Sequence, residues 1–255
     1  MRTLGRTLAM YTSSKVEVQP GRIVLEGKDM TTYTENSGPY DVLTPENSVV
    51  LLIDHQVGLL NIVRDMSAEE MKSNVLGLAR TAKTLEIPVL LTTSREWGPN
   101  GQLIPELKAL FPEVEVIRRP GVINAYRWPT FRQALEATGR KKVIIAAVTD
   151  ATCLQFPSLD MVLDGYDVHG VIDASGAESP MSREATVATL AMHKVKVRTW
   201  FSVAAELIAD WRRDEEKGWP LAAGAVHDHL PAWGYLLDTS MAYANGQMET
   251  PAQFK

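Results

Sequence analysis

The sequence predicts an α/β fold: a doubly wound, mainly parallel sheet with helices on both faces. Three observations lead there. From Ser48 onward, short apolar runs alternate with amphipathic stretches. The runs, such as "SVVLLID" and "KKVIIAAV", carry apolar residues at consecutive positions rather than every second one, so each strand needs cover on both sides. The length of 255 residues, with 45% hydrophobic and 22% charged, suits one α/β domain of the larger kind. Right-handed crossovers then put helices on both faces of one sheet.

The elements follow in order. "SVVLLID" (48–54) is a buried strand that ends on a carboxylate. "SAEEMKSNVLGLARTAKTLE" places Met71, Val75, Leu78, Ala79 and Ala82 at helical spacing, with Ser67 as N-cap and acids in the first turn. "IPVLLTTS" is the next strand, "IPELKALF" a short helix and "VEVIRR" a strand. "TFRQALEATG" is a helix that Gly139 stops. "KKVIIAAV" is a strand, and the segment after Cys153 is a helix ending at Gly165. "YDVHGVIDA", "SREATVATLAMHK", "VKVRTW" and "SVAAELIADWRRD" complete the alternation. Before Ser48, "KVEVQ" and "RIVLEG" read as a hairpin on an arm (1–47) too short to bury a core. The domain is expected over 48–238, with a loop-rich tail over 239–255 preceded by one or two short helices.

Several functions are excluded at this stage. A net charge of −5 gives no footprint for nucleic acid. No apolar run approaches the roughly 18 residues that span a bilayer, and the basic "MRTLGRTLAMYTSSK" lacks the apolar core of a secretory signal. A single cysteine cannot form an intrachain disulfide and fits a cytoplasmic, reducing location. No GxGxxG and no Walker A motif occurs, so neither supports a nucleotide cofactor. The aromatic and apolar residues of the arm and of the chain after Asp210 suggest a homo-oligomer.

In doubly wound sheets, ligands sit beyond the carboxyl ends of the strands. Three residues fall there: Asp54, Arg119 and Cys153. A thiol at a helix start faces the positive end of the helix dipole and is activated by a base and a nearby cation. The three residues supply these needs if their strands are adjacent. The cationic influences are then expected to hold the thiol pKa below its ordinary value. Taken singly, each residue also has an ordinary structural explanation: core filling for Cys153, loop organisation for Asp54, surface charge for Arg119.

"LLIDHQVGLL", "LTTSREWGPNG", "IRRPGVINAYRWPTF", "ATCLQFPSLDMVLDGYDVHGVIDASGA" and "TWFSVAAELIADWRRD" resemble the isochorismatase-like cysteine hydrolases, and within them the YcaC-type branch. The similarity runs in order from about Ser48 to about Asp238. It implies a Rossmann-like fold and an Asp–Arg–Cys triad, with Asp54 as base, Arg119 as cation and Cys153 as nucleophile toward a small amide, carbamoyl or related carbonyl substrate. It also implies a cis peptide between residues four and three places before the cysteine, here Thr149 and Asp150, where the family has a small or aliphatic residue and then Thr. Backbone N–H groups near Asp150 and Cys153 would then hold an oxyanion, and Gln56, Asn124 and Trp97 would line the pocket.

No metal or other cofactor is expected. The Asp and two His ligands of nicotinamidases have no counterpart downstream of Asp54, and His227 and His229 in "HDH" read as solvated loop residues. Two alternatives stay open. Some superfamily members cleave a vinyl ether without a cysteine, which the presence of Cys153 opposes. A redox-sensing or ligand-binding protein would also suit a lone thiol without a resolving partner.

Overall fold

The computed structural model describes residues 15–19, 22–26, 41–211 and 217–244. The chain divides into two units, Met1–Val42 and Leu43–Lys255. In the first unit, β1 (Lys15–Gln19) and β2 (Arg22–Glu26) pair as an antiparallel hairpin, as the two strand-like segments predict. Apart from residues 41–47, the rest of the arm lies outside the described residues, as do 212–216 and the chain after residue 244.

The second unit is built on six parallel strands. These are β3 (Ser48–Ile53), β4 (Val89–Ser94), β5 (Val116–Arg119), β6 (Lys142–Ala147), β7 (Asp167–Val171) and β8 (Lys196–Arg198), in the order β5-β4-β3-β6-β7-β8. The chain builds outward from β3 to β5, then returns to lay β6 beside β3 and builds the other way. The strand order therefore reverses between β3 and β6, where such sheets bind ligands.

Consecutive apolar residues on the central strands serve two cores. Val50 and Leu52 of β3 join one cluster with Ile144 and Ala146 of β6. Val49, Leu51 and Ile53 join the other with Val143, Ile145 and Ala147. The first cluster is closed by α1 (Ala68–Thr84) and, after α2 (Pro105–Leu110), by Trp200, Val203, Ala204 and Leu207 of the helix Trp200–Ile208. The second is closed by α3 (Pro129–Ala137), α4 (Gln155–Leu163) and α5 (Pro180–Met192), through Phe131, Leu135, Met161 and Leu190. Each fully buried Leu or Ile contributes about 1.5–3 kcal/mol, so central strands buried on both faces carry much of the fold's stability.

Local signals set the element ends. Ser67 accepts a hydrogen bond from the Glu70 N–H at 3.0 Å, with Glu69 and Glu70 in the first turn of α1. Gly139 takes φ +67°, the left-handed conformation that ends α3 without a Cβ penalty. The C-terminal part is more helical than expected. A continuous helical run leads from Gly218–Pro220 through Leu221–Val226 to His227–His229, and the helix Pro231–Ala244 follows. Leu221, Ala225 and Val226 are buried in the first cluster and pack on α1, as the expected short helices would, while Pro231–Ala244 carries helix past residue 239, where the loop-rich tail was expected to begin. No helix among the described residues is long and apolar enough to cross a membrane.

Candidate functional site

Asp54 is the first residue past β3. Its N–H still bonds to the Thr92 carbonyl of β4 at 3.0 Å, continuing the ladder by one rung. The backbone then takes φ +60°, and the Asp54 carbonyl accepts from the Gln56 N–H at 2.7 Å. A left-handed conformation at a residue other than glycine is uncommon and concentrates at functional positions. It turns the chain over the strand end and leaves the carboxylate 1% exposed.

Arg119 closes β5, and the strand adjacency on which the grouping was conditioned does not hold for it. β4 lies between β5 and β3, so the cation must reach across a strand. The long guanidinium side chain does so. Its Nε donates to Thr92 Oγ1 at 3.1 Å as it passes β4, and its Nη2 reaches both oxygens of Asp54. Nη1 donates to the carbonyls of Val122 and, at 3.1 Å, Ile123. Thr92 is a functional neighbour that the sequence reading missed. Its hydroxyl donates to the Ile117 carbonyl at 2.6 Å, which leaves an oxygen lone pair toward the guanidinium.

Cys153 follows β6 in a wide turn, Asp150–Leu154, ahead of α4. The Thr149 carbonyl accepts from the N–H groups of Thr152, Cys153 and Leu154 at 3.4, 2.8 and 3.3 Å, so the turn contains an i→i+5 bond. Such π-type turns gather at functional sites. The Thr152 hydroxyl donates to the sulfur at 3.5 Å and lies 3.0 Å from the Thr149 hydroxyl. The Asp54 carboxylate lies close enough to the thiol to act on its ionisation. Asp54, Arg119 and Cys153 therefore come together at the reversal point of the sheet, with Asp54 hydrogen-bonded to Arg119 and beside the thiol.

The electrostatics differ from those expected of a thiol at a helix start. Burial pushes the Cys153 thiol up to about 12, and the Asp54 charge beside it adds to the effect; the Thr152 hydroxyl and, least, Arg119 oppose it. Burial also raises the Asp54 carboxyl, against the pull of Arg119. The resting site thus pairs a neutral thiol with a carboxylate of raised basicity. That arrangement suits proton transfer during attack rather than a standing thiolate.

The oxyanion geometry is also revised. The cis peptide lies between Val148 and Thr149, one residue before the expected bond. An aliphatic residue followed by Thr is then in place. The Asp150 N–H is taken by the Gly176 carbonyl at 2.9 Å and the Cys153 N–H by Thr149, so neither is free in this state. The Thr149 N–H bonds to no acceptor among the described residues.

Gln56 and Asn124 are scaffold in this geometry. Gln56 donates to the carbonyls of Ser94, at 3.1 Å, and Gly101, and accepts from the Ser94 N–H at 2.8 Å, tying two strand-end loops together. Asn124 accepts from the Tyr126 N–H at 3.1 Å and donates to Asp160 at 2.8 Å. Trp97 is 87% exposed. His55 donates from Nε2 to the Ala174 carbonyl at 2.9 Å, and burial lowers its pKa to about 4, so it holds its loop as a neutral ring. His227 pairs with Asp228 and Asp238, and His229 with Ser73. Among the described residues no three His, Cys, Asp or Glu side chains are disposed to hold a metal ion.

The isochorismatase domain model matches residues 48–201, which is the sheet and the loops that carry this site. The chain belongs to the isochorismatase family. Within it, the sequence is 44% identical over 199 residues to "Probable hydrolase YcaC" of Escherichia coli, covering 78% of this chain and 94% of that protein. The structure of YcaC from Pseudomonas aeruginosa with hexane-2,5-diol and covalent acrylamide is 44% identical, with a TM-score of 0.75, covering 80% of this chain and 98% of that one. The E. coli YcaC structure, described as an octameric hydrolase of unknown specificity, is 42% identical with a TM-score of 0.76, covering 81% and 100%. The chain is an isochorismatase-family hydrolase of YcaC-like type.

Proposed function

We propose that this family member is a cysteine hydrolase of a small amide, carbamoyl or related carbonyl compound, working through a thioester. One observation carries the reading: a single carboxylate, Asp54, is hydrogen-bonded to a buried guanidinium and lies beside the only thiol, whose ionisation it influences. As the sulfur attacks the carbonyl carbon, Asp54 takes the thiol proton, a C–S bond forms and the carbonyl π electrons move to oxygen. The open Thr149 N–H is the donor available to that oxyanion. On collapse, Asp54 returns the proton to nitrogen as the C–N bond breaks, leaving the acyl group on Cys153. Water then adds to the thioester, Asp54 accepts its proton, and the sulfur departs and is reprotonated. Arg119 stays charged throughout, so it orients and balances Asp54 but shuttles no proton.

The P. aeruginosa relative is described with covalent acrylamide, which is consistent with a reactive nucleophile in that protein; because acrylamide is attacked at its alkene, the adduct bears on nucleophilicity and not on the amide substrate. A sensor role is less well supported, since redox-sensing thiols are exposed and of low pKa, whereas this one is buried with its pKa raised. Incubation with a panel of small amides tests the proposal: ammonia or amine release is expected from wild type and not from Cys153→Ala.

We also propose a homo-oligomer. The helix Pro231–Ala244 exposes Tyr235, Leu236, Met241 and Tyr243, and a close match in fold is described as octameric. Light scattering at micromolar concentration is expected to give a mass several times the 28.2 kDa of one chain; a monomer would contradict this.

A further inference from the structure

Asp150 opens the turn that carries Cys153, yet the mechanism leaves its side chain unused. It is fully buried, and neither carboxylate oxygen is aligned for a hydrogen bond with a described residue. The nearest opposite charge is Arg183 of α5, whose Nη1 lies 3.3 Å from Oδ2. That guanidinium also binds three other places. Nε donates to Asp65 at 2.7 Å, Nη2 to Asp65 and to the Ser175 carbonyl at 2.5 Å, and Nη1 to the Ile172 carbonyl at 2.5 Å. The Asp65 carboxylate in turn accepts from the Ala177 N–H at 2.8 Å, and the Asp150 N–H bonds to Gly176 at 2.9 Å. One arginine thus joins the loop after β7, the segment at Asp65 and the first residue of the nucleophile turn.

We infer that Arg183 and Asp150 are a positioning pair that holds the Cys153 turn in its reactive geometry. The inference rests on Cys153 being the nucleophile. Stability alone gives no reason for an acid at 150. Two buried carboxylates face one guanidinium there, and an ion pair without aligned hydrogen bonds is weak support for a fold. What the pair does is fix the Thr149–Asp150 peptide. The Thr149 carbonyl gathers three N–H groups of the turn, so a displacement at Asp150 moves the sulfur and the open Thr149 N–H together.

The groups acting on Asp150 are Arg183 and the Ala151 backbone N–H, which favour its ionised form, and Asp65 and Glu178, which oppose it. Burial is the largest influence and lifts the carboxyl to about 6. Because this folded value exceeds the ordinary carboxylate value, ionisation costs stability above it, and the cost is relieved as pH falls through about 6. Below that point a protonated Asp150 and an Asn are near equivalents.

Acrylamide addition to Cys153, followed by mass spectrometry beside melting curves, tests this without a known substrate. At about pH 7.5, Asp150→Asn is expected to slow labelling about ten- to hundred-fold, the scale for small misplacement of a reacting group, with no loss of melting temperature. The wild-type to variant ratio should shrink toward one as pH falls through about 6. Arg183→Lys should slow labelling as well, and adding Asp150→Asn to it should slow it little further, as members of one network behave. A variant labelled at the wild-type rate, or slowed equally at all pH values with a lowered melting temperature, overturns the inference alone. Wild-type Cys153 that stays unlabelled while folded overturns the nucleophile reading with it.

Discussion

Asp54→Asn is expected to remove about 10²–10⁴-fold of any amide hydrolysis, the usual contribution of a positioned general base, while the protein stays folded. The neutral amide can still accept from Arg119, and Arg119 keeps Thr92, Val122 and Ile123, so no buried charge is stranded without partners. What is lost is the proton acceptor. With the thiol pushed to about 12, a negligible fraction is ionised at neutral pH, and attack requires a base at the sulfur. The pH profile follows from the same geometry. Burial raises the Asp54 carboxyl, so wild-type turnover should fall with acid at a midpoint above the ordinary carboxylate range, as the base protonates. An Asp54→Asn variant that hydrolyses amides at the wild-type rate would remove Asp54 from the mechanism.

Arg119→Met is expected to have the largest effect on stability. The arginine side chain is fully buried, and its loss leaves Asp54 as an unpaired interior charge and two carbonyls without their donor. Breaking a buried pair in this way costs about 3–5 kcal/mol. For a chain of this size that lowers the melting temperature on the order of 10 °C. Arg119→Lys should fall between, because an ammonium keeps the charge but cannot reach Thr92, the loop carbonyls and both Asp54 oxygens in one fork. Calorimetry of the two variants checks the order; a stable Arg119→Met protein would mean the ion pair contributes little.

The parallel sheet and its ends were legible in the sequence because unbroken apolar runs such as 48–53 and 142–147 leave little choice but a strand covered on both faces. Each run, together with the strand ending at Arg119, also led directly to a residue of the site. The relation between those ends was less accessible. Strand order is a long-range property, so the interposed β4 and the role of Thr92 became visible only with the fold. The cis peptide lies one residue before the expected position, which no local signal in the sequence marks. Gln56 and Asn124 looked available because their partners, Ser94 and Asp160, are more than 30 residues away. The thiol pKa was misjudged for a similar reason: the helix start is written in the sequence, but the depth of Cys153 is not.

The central claim is that Cys153 carries the acyl group during turnover. The most direct measurement is acid quenching of wild-type protein with a hydrolysed amide in excess, followed by peptide mass spectrometry. The account predicts an acyl adduct on the peptide containing Cys153, released by hydroxylamine as a thioester is, and no turnover by Cys153→Ala. Hydrolysis that continues in Cys153→Ala, with no adduct in wild type, would contradict it.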